Sequence, residues 1–411
     1  MAQGRTIGQD GGAATILVAL AGFAYLLIAP ATLADGDTGW HLATGRWILA
    51  HGRVPTTDPF SYTAPGHPWV AHEWLSEIAM YAAWWAAGWS GLIVLTATAF
   101  AGMLAIVGCY ARRWLSAGGV AVALALLAMV LMPALLARPH VLALPILAAW
   151  IVVLLRAREA DRAPPLGWAA LMLVWANAHG SFMFGLALVA AFALDALVTA
   201  ASDRRRVTVV HWGAFGALSG LAALATPGGV HGFLYPFYVG SLALLPYIQE
   251  WHPVDFARLD TFQIALFAGL FVLLVRPTRI APIRLVLLLG TLHLALVHVR
   301  QVSVFVLLAT LVLAEPIGRA WTDGSLPHPR GPRRGARSLA GIALAIALVL
   351  ATGRLVVPAT RADSDGVPDT ALRHLPASLK TRRVFNEYSF GGPLILAGVR
   401  PYIDGRSDMY G

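Results

Sequence analysis

Apolar residues come in long unbroken runs, not in the one-faced or alternating patterns of a soluble domain. A hydrocarbon core of about 30 Å needs about 20 apolar residues per helix. Measured against that length, the sequence predicts eleven spans: Ala13 to Leu33, Ala82 to Tyr110, Gly118 to Leu136, Val141 to Leu155, Leu166 to Ala178, Phe182 to Ala200, Val210 to Ala225, Phe262 to Val275, Leu285 to Val299, Val302 to Ala314 and Leu339 to Val357. Several are short for a full crossing. The first run is longer than the 7–15 residues typical of a signal-peptide core, so it reads as a retained span even though Thr32-Leu33-Ala34 is cleavage-like.

Charge placement orients the chain. Arginines cluster in alternate connections: Arg112 and Arg113, then Arg156 to Arg162, Arg204 to Arg206, Arg276 to Arg284, and Arg319 to Arg337. The intervening connections hold only Arg46, Arg53, Arg138, Arg258 and Arg300. By the positive-inside rule the N-terminus is cytoplasmic and the C-terminus lies outside.

Composition agrees. Of 411 residues, 58% are hydrophobic and 12% charged, whereas soluble domains carry about 25% charged residues. The net charge of +9 sits in topology signals between apolar runs, which argues against a nucleic-acid partner. A single cysteine, Cys109, rules out an intramolecular disulfide. The predicted fold is an all-α polytopic membrane protein of about eleven transmembrane helices. Residues 1–357 form the membrane domain, with a first outer loop at 34–81, and 358–411 form a small outer C-terminal segment.

Polar chemistry is concentrated on the outer side. In the first loop, Gly39 to His51 and His72 to Trp89 space their aromatics like amphipathic helices in the membrane interface. Between them, four prolines and a glycine make Val54 to Trp69 a rigid connector. Glu73 and Glu77, four apart, share a face turned to water or a cavity.

Asp35 and Asp37, in a glycine-flanked turn, can converge on one cation or one substrate hydroxyl, although Asp37 or Thr38 could equally cap the following helix. Arg138 and Arg300 close the outer ends of the third and ninth spans. There they suit a phosphate, or snorkel to lipid headgroups. Asn177 and His179 end the fifth span, where they bind substrate or satisfy the backbone of a tight turn. His41, His72, His140, Trp251 and His252 are further candidate substrate contacts.

These residues carry a resemblance. Asp35-Gly-Asp-Thr-Gly-Trp-His-Leu-Ala-Thr-Gly-Arg-Trp-Ile-Leu, Pro55-Thr-Thr-Asp-Pro-Phe-Ser-Tyr-Thr and His72-Glu-Trp-Leu resemble bacterial polytopic glycosyltransferases of the GT-C type. Trp175-Ala-Asn-Ala-His-Gly-Ser-Phe, Glu250-Trp-His-Pro-Val-Asp-Phe, Phe385-Asn-Glu-Tyr-Ser-Phe-Gly-Gly and Ile403-Asp-Gly-Arg-Ser-Asp-Met-Tyr-Gly fit the same group. Protein O-mannosyltransferases and oligosaccharyltransferase catalytic subunits are more distant relations.

The resemblance implies a bacterial inner-membrane enzyme that takes a sugar from a polyprenyl-phosphate donor. The acceptor would be a hydroxyl of a glycan, lipid or protein, attacked by inverting single displacement. Asp37 or Asp35 would be the base, with Glu73 next, and Arg138 and Arg300 would face the leaving phosphate. Some members bind a divalent cation and some do not; in the metal-dependent case the resemblance implies Mg or Mn at Asp35 and Asp37. The second acidic motif of oligosaccharyltransferases has no counterpart near Arg138-Pro-His140. A polymerase or ligase of lipid-linked glycans, or a non-catalytic transporter of lipid-linked sugars, are the alternatives.

Overall fold

The computed structural model describes residues 11–322 and 334–410. Its helices are α1 (Gly11–Ile28), α2 (Asp37–His51), α3 (Trp74–Ala111), α4 (Ala117–Leu131), α5 (Pro139–Glu159), α6 (Ala169–Ala178), α7 (Phe182–Thr199) and α8 (Arg205–Leu224). There follow α9 (Gly229–Gly240), α10 (Thr261–Val275), α11 (Pro282–Val297), α12 (Val302–Trp321), α13 (Arg334–Val356), α14 (Asp369–Arg373) and α15 (Gly391–Leu396). Among the described residues only isolated β-bridges accompany them. The chain is an all-α polytopic fold.

Every predicted span falls on a helix. Among the described residues eight helices are long and apolar enough to cross a membrane, and the Leu166–Ala178, Thr261–Val275 and Pro282–Val297 segments are shorter apolar helices. The core is built on α3 and α5, where Phe100, Met103, Leu104, Trp150, Ile151 and Leu154 are fully buried. Trp150 fixes α5 against α7 by donating to the Gly185 carbonyl at 3.0 Å. By contrast, none of the apolar window of α13 is buried inside the protein, which leaves that helix for lipid.

Charged side chains gather at the two ends of the bundle. At the arginine-rich end, Asp195 holds Arg158 (3.0 Å) and Arg284 (3.3 Å), and Glu159 holds Arg113 (2.7 Å). The opposite end collects the first loop, the 226–261 segment and the C-terminal tail.

Tertiary packing reshapes several predicted boundaries. α1 stops at Ile28, and a single 3-10 turn, Pro30–Leu33, follows. The amphipathic helix and the second span are one 38-residue segment, bent where Ala87 and Gly88 leave helical geometry (Gly88 φ 59°).

α2 is covered by other parts of the chain. Nine of its fifteen residues are buried, Trp40 and His41 among them, so it lies beneath other elements. Of the proposed anchors, Trp85 is exposed, whereas Trp40 packs edge-on against Trp69 with ring centres 6.3 Å apart. The 226–261 segment contains α9 and two 3-10 turns.

The tail covers α2 closely. Gly392 packs on the Gly36 carbonyl with no room for a Cβ, and Ile395 and Met409 are buried with Trp40 and Trp69. The tail is therefore part of the loop-end structure and does not hang from it.

Candidate active site

Local sewing places the acidic turn. The Ala137 amide donates to the Thr32 carbonyl at 2.9 Å, and Thr38 Oγ1 donates to the Ala137 carbonyl at 3.1 Å. These bonds clamp the turn between α4 and α5 to the start of α2. Arg138 is the extended residue before α5, and Pro139 opens the helix without needing a donor partner.

The guanidinium therefore enters the acidic turn. Its Nε lies 3.2 Å from Asp35 Oδ2, one Nη 2.8 Å from Asp37 Oδ2, and the other 2.5 Å from Glu250 Oε1. Glu250 arrives from the Gln249–Trp251 turn in the 226–261 segment.

The capping alternative is resolved by geometry. Gly36 occupies the N-cap position, and the Asp35 carboxylate accepts from the Asp37 amide at 3.2 Å. Asp37 does not cap; its carboxylate is turned to Arg138.

Three carboxylates converge on the Arg138 guanidinium, and this crowding of acids favours taking up a proton. Asp37 takes it most readily. Burial, reinforced by Asp35 and Glu250 and only partly opposed by Arg138, pushes its carboxyl up to about 7. Glu250 behaves oppositely, because Arg138 holds it down to about 2.

A second polar centre adjoins the first, one helical turn along α2. Glu73 lies 3.3 Å from His179 Nε2, 3.6 Å from His72 Nε2 and 3.8 Å from His41 Nε2. The other nitrogen of His41 meets Glu77 at 3.1 Å. Glu73 and Glu77 thus face a buried histidine cluster. Burial drives His41 and His179 to the neutral form, His179 down to about 3. Burial also opposes charge on His72 and Glu73, yet their mutual attraction raises the first and lowers the second. One ion pair, His72–Glu73, results.

The other candidates are placed as follows. Asn177 accepts from Trp74 Nε1 at 2.7 Å and donates to the carbonyls of Leu173 (2.8 Å) and Ala225 (3.1 Å), pinning α6 to α3 and to the end of α8. His140 Nε2 bonds the Ala134 carbonyl at 2.8 Å, and its ring lies 6.5 Å from that of His179. His252 bonds the Pro246 carbonyl at 2.8 Å and so shapes its own loop. Arg300 stays exposed and stacks over Trp251, 4.5 Å from the ring centre. Of the two arginines, Arg138 is committed to carboxylates and Arg300 is open to a ligand.

Glu250 and the tail were missed as site residues, although both fall in stretches that carry the resemblance. Arg406 is fully buried and pairs with Asp404 at 2.7 Å and Asp58 at 2.6 Å. Its guanidinium lies over the rings of both Phe60 (5.0 Å) and Trp69 (4.8 Å). Next to it, Gly405 is seated on Asp37: a Cβ there would overlap Asp37 Oδ1 and lie 2.8 Å from Trp40 Nε1.

Among the described residues no group of three or more His, Cys, Asp or Glu side chains converges as metal ligands. Asp35 and Asp37 are bridged instead by the Arg138 guanidinium, a cation supplied by the chain itself.

No family model matches the sequence, and neither does any curated protein. A solved structure does: the apo oligosaccharyltransferase of Archaeoglobus fulgidus superposes with a TM-score of 0.58 at 12% identity. The likeness covers 97% of this chain. The two proteins share a fold. It is the polytopic architecture that the first-loop residues led one to expect. This chain spans 65% of the archaeal enzyme's length, so the shared part is the helical bundle with its loop-end elements.

Proposed function

We propose that the protein is a membrane glycosyltransferase that moves a sugar from a polyprenyl-phosphate donor to an acceptor hydroxyl at the loop end of the bundle. The observation that carries this reading is the Asp37 carboxylate, held 2.8 Å from the Arg138 guanidinium beside Asp35 and Glu250, where burial pushes it up to about 7. A general base is most effective when its pKa lies near the operating pH.

In this reading Asp37 accepts the acceptor's proton as its oxygen attacks the anomeric carbon. The bond to the lipid phosphate breaks as the new bond forms, and the configuration inverts. Arg138 keeps Asp37 and Asp35 in register and does not meet the phosphate. Arg300, exposed over Trp251, receives the developing negative charge on the leaving group. The membrane in this reading is the bacterial inner membrane, with the loop end outside.

The test uses purified protein in nanodiscs with a radiolabelled polyprenyl-phosphate sugar. Asp37→Asn is expected to lower sugar release at least a hundredfold while the protein stays folded, within the range general-base removal gives, about 10²–10⁴-fold. Release within threefold of wild type would remove Asp37 from the base role. If the folded wild type consumed no lipid-linked sugar, the transferase reading would fall.

A further inference from the structure

The tail motif Ile403-Asp-Gly-Arg-Ser-Asp-Met-Tyr-Gly is not used by the mechanism above, yet it touches the proposed base. We infer that Arg406 is a positioning residue: its buried ion pairs lock the 403–410 turn onto the first loop, so that the Gly405 backbone forms the wall behind Asp37. The inference rests on the role given to Asp37.

Four independent contacts build the wall. First, Arg406 joins Asp404, two residues away, to Asp58, far off in the first loop, and both carboxylates are buried. Second, Asp58 is itself fixed by the amides of Phe60 (2.9 Å) and Ser61 (3.0 Å), so the loop side of the lock is rigid. Third, Tyr410 donates to Asp404 at 2.7 Å and Tyr388 donates to the Gly405 carbonyl at 3.3 Å, bracing the turn from both sides. Fourth, Gly405 lies so close to Asp37 that no other residue fits without displacing the carboxylate.

A merely stabilising salt bridge could sit anywhere on the tail. This one flanks Gly405, the tail glycine seated against Asp37. A buried ion pair contributes little net stability but fixes a geometry, which is the use the lock suits. By lying against Asp37, the wall covers one side of the carboxylate and adds to the burial that raises its proton affinity. The groups facing Asp37 from the elements around it are Asp35, Arg138 and Glu250, with Trp40 and Tyr388 alongside.

The experiment compares Arg406→Lys, Gly405→Ala and the surface control Arg373→Ala in the full chain, in nanodiscs. Arg373 is exposed and pairs with Asp369 at 3.0 Å, in α14, without touching Arg406 or Gly405. Two readouts are taken. One is sugar release against pH, giving kcat and donor KM separately. The other is the infrared carboxyl band of Asp37 titrated against pH, obtained as the difference from Asp37→Asn, which needs no substrate.

Arg406→Lys, which loosens the turn and admits water, is expected to move the Asp37 titration down by at least one pH unit. Its kcat should fall at least tenfold with KM within threefold. Gly405→Ala is expected to lower kcat at least a hundredfold with the Arg406 ion pairs intact, and Arg373→Ala should match wild type in both readouts. An unmoved Asp37 titration in Arg406→Lys, together with kcat near wild type in Gly405→Ala, would overturn the inference. Should the wild type release no sugar, the transferase reading falls, and the infrared titration alone decides the wall.

Discussion

Arg138→Gln removes the guanidinium on which three carboxylates converge, and its consequences can be worked out from the distances. The guanidinium lies 2.8 Å from Asp37, 3.2 Å from Asp35 and 2.5 Å from Glu250. At an effective dielectric near 20, a unit pair about 4 Å apart is worth about 4 kcal/mol. The Glu250 contact, with 44% of that side chain exposed, is discounted for solvent screening. Removing one partner of a buried pair typically costs about 3–5 kcal/mol, and that is the loss expected for the variant near pH 8.

The sign of its pH dependence follows. Without Arg138 the remaining acids repel one another, so their folded-state pKa values rise above the unfolded ones. The penalty is therefore present where the acids are ionised, and it fades as the pH falls and they take up protons. Thermal unfolding followed by tryptophan fluorescence, in detergent at pH 8 and pH 5, reads the difference between variant and wild type. A gap that is large at pH 8 and at most half as large at pH 5 is expected. A gap equal at both values would mean that Arg138 only fills space. No gap at all would mean that the three contacts carry no energy.

Three further outcomes are expected. Because Asp37 must be ionised to accept a proton and titrates near 7, sugar release should fall about tenfold per pH unit below that value and level off above it; a profile flat from pH 5.5 to 8.5 would contradict the assignment. Asn177→Ala strands Trp74 Nε1 and the Ala225 carbonyl, so it should cost about 1–3 kcal/mol of stability by thermal unfolding, with donor KM little changed. With Arg138 in the place where Asp35 and Asp37 would share a cation, dialysis against EDTA should leave sugar release within twofold; a loss restored by Mg or Mn would refute that fit.

The helices were legible in the sequence because lipid imposes a length and an unbroken apolar composition on each crossing. Long-range partnership was not. Nothing in the spacing of Asp35, Asp37, Arg138 and Glu250 states that they meet; the hydrogen bonds from Ala137 to Thr32 and from Thr38 to Ala137 bring them together. The same holds for α2. Its tryptophans at helical spacing look like interface anchors until the tail is laid over them and buries Trp40. α9 escaped notice because its glycines and Pro236 read as loop signals. Arg138 and Arg300 looked equivalent, each at the outer end of a span. Their surroundings separate them, since one is enclosed by acids and the other lies open on Trp251.

That separation bears on how a base is kept useful beside a membrane. Burial alone would drive an aspartate far above neutrality and leave it protonated, unable to accept anything. A guanidinium alone would hold it fully ionised and weakly basic, as Arg138 does with Glu250 at about 2. Asp37 has both influences at once: the Gly405 wall excludes water, Arg138 supplies the counter-charge, and Asp35 and Glu250 dilute that charge by sharing it. The balance near 7 therefore needs four chain segments in place, namely the acidic turn, the residue before α5, the 226–261 segment and the tail. Loosening any one of them should shift the proton affinity of Asp37 in a direction set by what is lost: downward when the wall opens, upward when Arg138 is removed.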